Sequence, residues 1–268
     1  FEILPNVYPT ESALLHGIFP HLPTELCRNL LHDSRNVHYS NTTRLFQHFS
    51  LGSRVFSESY DLPAEVETGS LLQSHDTSNL TEVTLAKLRQ KNIHLASITA
   101  RPSAPPRDVV TSQIGYAPEA EAALELVGLA EIQLIGYGRL EYYEKQYGVA
   151  AASLLKPSPV QSLAAVAAAF TGEEWSSIQA AAESQASGRL NSLFLSLQRE
   201  FELFVVEDTM GGIRSTQAAG EILQKNGFDV KVHALGLTSG SAAKAEAFDK
   251  AGVVHFETWE TLIAGTGL

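Results

Sequence analysis

From about residue 85 onward, short solid apolar runs alternate with stretches of helical spacing, and this alternation limits the possible folds more than any other feature of the chain. The runs are "HLASIT" (94–99), "EIQLIG" (131–136), "ELFVVE" (202–207), "VKVHALGL" (230–237) and "VVHFET" (253–258). Strands separated by helical segments pair in parallel, because the crossover carries each strand back to the same edge of the sheet. Continuous hydrophobicity, clearest from Leu203 to Val206, predicts burial on both faces rather than one. The expected fold is therefore α/β, a doubly wound parallel sheet with helices on either side.

The intervening helices carry their own punctuation. In "KPSPVQSLAAVAAAFTG", Ser158 is a candidate N-cap, Pro159 suits the first helical position, and Val160, Leu163, Val166 and Phe170 recur at three- and four-residue spacing before Gly172. "PEAEAALELVG" and "GGIRSTQAAGEILQKNG" close on Gly128 and Gly227 in the same manner. Residues 1–84 differ. "TESALLHGIF", "PTELCRNLLHD" and "NTTRLFQHF" read as helices between Pro, Gly and Ser, without a convincing buried strand. The predicted organisation is a helical module over 1–84 and an α/β core over 85–268, with a helical insertion at 173–200.

A formal net charge of −11 argues against nucleic acid, since phosphate-backbone binding needs clustered Lys and Arg. One cysteine, Cys27, excludes an intrachain disulfide and suits a reducing compartment, so a cytoplasmic location is expected. No run reaches the roughly 18 to 20 apolar residues of a membrane span. The chain opens at Phe1 without a methionine, so native sequence is expected upstream.

Three stretches fall where α/β folds place their sites, at the carboxyl ends of parallel strands. "SITARPS" ends a strand on Thr99, "LLKPSP" puts Lys156 just before a helix, and "VVEDTMGGI" ends a strand on Glu207 and Asp208. A hydroxyl, an ammonium and a carboxylate pair are suited to holding a phosphate with a divalent ion, because Mg²⁺ takes one or two carboxylates plus water and phosphate oxygens. Singly, each has a plainer explanation: a turn hydroxyl, a solvated lysine, a helix N-cap.

In this order, "LKPSP" and "EDTMGGI" after a strand-end threonine resemble the haloacid dehalogenase superfamily, and look most like its phosphoglucomutase and phosphoglycolate-phosphatase branch. The likeness covers roughly residues 80–262. It implies a Mg²⁺-dependent phosphomonoester hydrolase acting on a small phosphorylated metabolite, with the helical module as a cap. By resemblance Thr99 and Lys156 hold the phosphoryl group and Asp208, with Glu207 beside it, holds Mg²⁺; Arg101 is a further candidate for substrate phosphate. A phosphomutase would use the same parts, and a catalytically inactive relative would keep the cleft as a ligand- or partner-binding module. Oligomeric state is not legible.

One family motif is not found, the apolar strand ending in Asp-x-Asp that supplies the nucleophile and the acid/base. Asp33 follows helical spacing, "RVFSESYD" starts like a strand but has Ser57 and Ser59 around Glu58, and Asp76 lacks a preceding apolar strand. Either the motif lies upstream of Phe1, the expectation placed first, or it has been lost. That strand is central in the family's sheet, so omitting it should leave a gap with unsatisfied backbone groups. Other signals have plainer readings. His32-Asp33 and His75-Asp76 lack metal-ligand spacing, "GYGRLE" has Glu141 where a dinucleotide loop needs its third glycine, and "GLTSGS" reads as a strand-to-helix loop.

Overall fold

The computed structural model describes residues 21–23, 25–26 and 36–267. The chain divides into two compact units, Phe1–Asp76 and Thr77–Leu268. Asp33, Cys27, "TESALLHGIF" and most of "PTELCRNLLHD" lie outside the described residues.

In the first unit, α1 (Asn41–Leu51), α2 (Ser53–Tyr60) and α3 (Leu71–His75) are helical, and no strand occurs among its described residues. Ser40 caps α1 by accepting from the Thr43 amide. The strand-like start at "RVF" is a helix. Phe56 and Tyr60, four residues apart, turn to the same side with ring centroids 5.5 Å apart, and Arg54 pairs with Glu58 on the exposed side. Helical spacing of large apolar groups therefore overrides a local β preference.

The second unit is mixed α/β with parallel sheets. Its elements are α4 (Glu82–Leu88), β1 (Ala96–Ile98), α5 (Glu119–Leu126), β2 (Gln133–Ile135), α6 (Tyr137–Tyr147), α7 (Ala151–Leu154), α8 (Pro159–Thr171), α9 (Glu174–Ser187), α10 (Ser192–Leu195), β3 (Glu200–Glu207), α11 (Met210–Lys225), β4 (Asp229–Leu237), α12 (Ala242–Ala251), β5 (Val254–Phe256) and α13 (Trp259–Thr266). The division falls before α4 rather than at residue 84, because Leu85 and Leu88 of α4 are buried in the clusters of this unit. The expected insertion at 173–200 is α9 and α10, with the start of β3.

All strand pairs are parallel, β1 with β2, β3 with β4 and β4 with β5. Alternate residues serve different clusters. Ala96, Ile98, Ile135, Phe201, Leu203, Val230 and Val232 pack into the large core built on α8, α9 and α11. Leu134 packs with Leu85 and Leu124, while Phe204, Val206 and Leu235 pack with Leu88, Leu262 and Ile263. This division by alternate residue is the pleat at work.

The strands form two sheets, β1-β2 and β3-β4-β5, rather than one. Helix α8 packs on β1 and β2 and also against α11, which packs on β3 and β4. On the other side Leu80 and Leu95 contribute to the cluster beneath β1-β2 and to the one beneath β3-β4. β1 and β3 also run in the same direction. Near their amino ends, His94 stacks on Phe170 at 4.5 Å and Phe170 meets Phe201 edge-on at 5.4 Å, all at the carboxyl end of α8. Their carboxyl ends meet groups at the amino end of α8: Gln161 reaches the Thr99 carbonyl and Lys156 reaches Glu207. Two parallel edges, of β1 and of β3, thus lie under common helices without a strand between them among the described residues. The burial differs accordingly from the two-faced burial expected of these runs: β1 is half-buried throughout, as are Leu203, Phe204 and Val206.

Candidate functional site

The site is assembled at the carboxyl ends of β1, β3 and β4, around the amino ends of α8 and α11. Ser158 caps α8 with its side chain, and Pro159 takes the first turn without leaving an amide unsatisfied. The Ser215 hydroxyl of α11 donates to the Ser158 carbonyl at 2.6 Å, and Ser215 and Thr216 both lie within hydrogen-bond distance of Ser162. These buried hydroxyls bind the two helix starts together, and so the segments on which Lys156 and the acidic doublet sit.

Gln161 joins the pieces. Fully buried, it donates from Nε2 to the Thr99 carbonyl at 2.9 Å and to the Ile135 carbonyl at 2.7 Å, while its Oε1 accepts from the Lys156 amide at 3.2 Å. The Thr99 turn and the Lys156 segment are thereby held in register by one amide group. Thr99 Oγ1 accepts from the Arg101 amide at 3.1 Å. The Arg101 guanidinium is drawn to the buried Glu119 carboxylate, 2.7 Å away.

Glu207 is largely buried and has every oxygen engaged. Its Oε1 meets the Lys156 ammonium, and Oε2 accepts from the Asp208 amide, the Thr209 amide and the Thr209 hydroxyl. The carboxylate fits because residue 212 is glycine; a Cβ there would stand 2.1 Å from Oε1. Asp208 turns the other way. Its Oδ2 is 2.7 Å from Lys244 Nζ, and its side chain keeps 55% of its exposure. Partial burial acts to raise the Asp208 pKa, but the hydrogen bond and charge of Lys244 and the charge of Lys156 outweigh it and hold the carboxyl below its usual range. Two adjacent carboxylates at the end of a buried strand are thus compensated by two lysines, and the four charges cancel.

Thr99, Lys156, Glu207 and Asp208 are therefore brought to one region, Thr99 through Gln161 and the others by direct ion pairs or adjacency. Arg101 neighbours Thr99 but commits its charge to Glu119. Gln161 and Lys244 were not anticipated. Gln161 had a signal, a polar side chain in the first turn of an otherwise apolar helix; Lys244 had none beyond following a Gly- and Ser-rich loop.

As a donor set for Mg²⁺, the doublet supplies two carboxylates. No third His, Cys, Asp or Glu joins them among the described residues. Of the two, Asp208 is the accessible carboxylate and Glu207 is committed to Lys156. His75, beside Asp76, bonds the Ser74 hydroxyl and belongs to the first unit. "GYGRLE" opens α6, where Gly138 lets the helix approach the loop after β1: a Cβ would lie 1.8 Å from the Ser103 carbonyl. "GLTSGS" is the loop from β4 to α12, and Ser241 caps that helix. Among the described residues no helix is long and apolar enough to cross a membrane. Comparison with protein-family models, curated proteins and solved structures returns no match.

Proposed function

We propose that the second unit is the core of a Mg²⁺-dependent phosphomonoester hydrolase of the haloacid dehalogenase type, acting on a small phosphorylated metabolite. The observation that carries this reading is the linkage of Thr99, Lys156 and the Glu207–Asp208 doublet at one end of parallel strands, through Gln161 and the Lys156–Glu207 pair. Thr99 and Lys156 hold phosphoryl oxygens, the ammonium offsetting charge that builds up as the ester bond breaks. Asp208 would hold the cation, which when bound would neutralise phosphate charge, while Glu207, committed to Lys156 and to the Asp208 and Thr209 donors, fixes the loop behind it. Gln161 maintains the spacing between the hydroxyl and the ammonium, the kind of positioning on which phosphoryl transfer depends.

By the resemblance the nucleophile is an aspartate on a strand central in the sheet, a reading supported by the edges of β1 and β3, which have no strand between them among the described residues. The aspartate's carboxylate oxygen attacks phosphorus and displaces the ester oxygen, which takes a proton from the second aspartate of Asp-x-Asp; that residue, now a base, deprotonates the water that cleaves the acyl-phosphate. The fold's use without chemistry is the second reading, favoured by the internal neutralisation of the doublet by Lys156 and Lys244. Hydrolysis of an aryl phosphate with and without Mg²⁺ separates the two. The hydrolase reading expects Mg²⁺-dependent turnover by protein that includes the Asp-x-Asp strand, lost in Asp208→Asn with the fold retained. No turnover on that substrate or on a metabolite panel, and no effect of Asp208→Asn on ligand binding, would leave the silent module.

A further inference from the structure

Lys244 occupies an unusual position for a cation. It lies in the first turn of α12, where the helix dipole favours negative charge, and that turn holds no acidic residue to offset it. What it gains there is Asp208, 2.7 Å from its ammonium, just past the carboxyl end of the neighbouring strand β3. Of the doublet, Glu207 is the fixed member, held by Lys156 and three donors from Asp208 and Thr209. Asp208 is the releasable member. Both partners of its ion pair remain open to water, the Asp208 side chain 55% and Lys244 36% exposed, so exchange of the ammonium for another cation breaks one solvated pair and exposes no buried charge.

Resting on the reading of Asp208 as the acid of a cation site, we propose that Lys244 is the counter-ion of that acid and competes with the divalent ion for it. Divalent-ion binding then includes the cost of moving Lys244 away, and the freed ammonium becomes available to water or to an anionic ligand at the mouth of the site.

The test is Mn²⁺ binding to the full 268-residue chain, followed by electron paramagnetic resonance of the free ion. Lys244→Met should tighten Mn²⁺ about tenfold or more at low salt, the size expected for removing a unit positive charge a few ångström from a surface cation site. Lys244→Arg should stay near wild type, and Asp208→Asn should abolish binding. As a second readout, acetylation of Lys244 by acetic anhydride should be slow against exposed Lys225 and Lys250 without metal and should accelerate with Mg²⁺. Equal Mn²⁺ affinity in wild type and Lys244→Met, with binding still abolished by Asp208→Asn, would overturn the competition and leave the cation site standing. Absence of Mn²⁺ binding in every variant, or binding indifferent to Asp208→Asn, would overturn both.

Discussion

Glu207 and Asp208 are neighbours with opposite tasks. Glu207 is braced on all sides, and Gly212 makes room for it, so Gly212→Ala should push the carboxyl off Lys156 and lower stability by about 1–3 kcal/mol, measured by urea unfolding. Asp208 keeps a depressed pKa chiefly because Lys244 outweighs burial. Lys244→Met should raise that pKa, since it removes the lowering interactions and leaves the burial, and a carboxyl-carbon NMR titration reads the change. The sign for stability follows. A carboxyl held below its ordinary range stabilises the fold above its unfolded value of about 3.9, and that contribution fades as pH falls through the depressed one, so wild type and Lys244→Met should converge in stability at strongly acidic pH. At this scale the placement of Thr99, Lys156 and the doublet at strand and helix ends was legible, because apolar runs and caps mark those ends. Gln161 and Lys244 were not, because their roles depend on which strand ends meet in space.

Among elements, the scaffold beneath the site rests on a buried ionic cluster. Arg139 of α6 is fully enclosed, 3.0 Å from Glu174 at the start of α9 and paired with Glu121 of α5. Glu174 also accepts from the Leu134 amide in β2 at 2.9 Å and from the Arg107 amide at 3.0 Å. One carboxylate thus ties a strand, two helices and the loop after β1. Glu174→Ala would leave the buried Arg139 with Glu121 alone and the Leu134 amide without an acceptor, and should cost about 3–5 kcal/mol in equilibrium unfolding. The exposed Lys225–Glu221 pair offers a contrast, and Lys225→Ala should change stability by less than about 1 kcal/mol. Strands and helices of this unit were legible to within a few residues, since apolar period and Gly or Ser caps act locally. The helix over Ser53–Tyr60 was missed because "RVF" has β propensity on its own, and only the Phe56–Tyr60 contact decides for a helix.

For the whole molecule, the telling feature is the interval between β1 and β3. Sequence predicted strands buried on both faces, and their half-burial here goes with two edges that have no neighbour among the described residues. Pairing is a property of the sheet, which no single run encodes. Amides of 96–98 and 200–207 should exchange with deuterium well before those of the buried helix segment 160–168, read by mass spectrometry on the full chain. Equal protection would mean that both edges are satisfied. The central claim concerns the other end of these strands, a phosphate site built from Thr99, Lys156 and Asp208. It is tested most directly by calorimetric titration of inorganic phosphate into the 268-residue chain with Mg²⁺ present. The account predicts one site that requires Mg²⁺ and is weakened at least about tenfold by either Lys156→Met or Asp208→Asn, the range expected for losing a charged partner. Phosphate binding that neither substitution alters, or no binding at all, would contradict it.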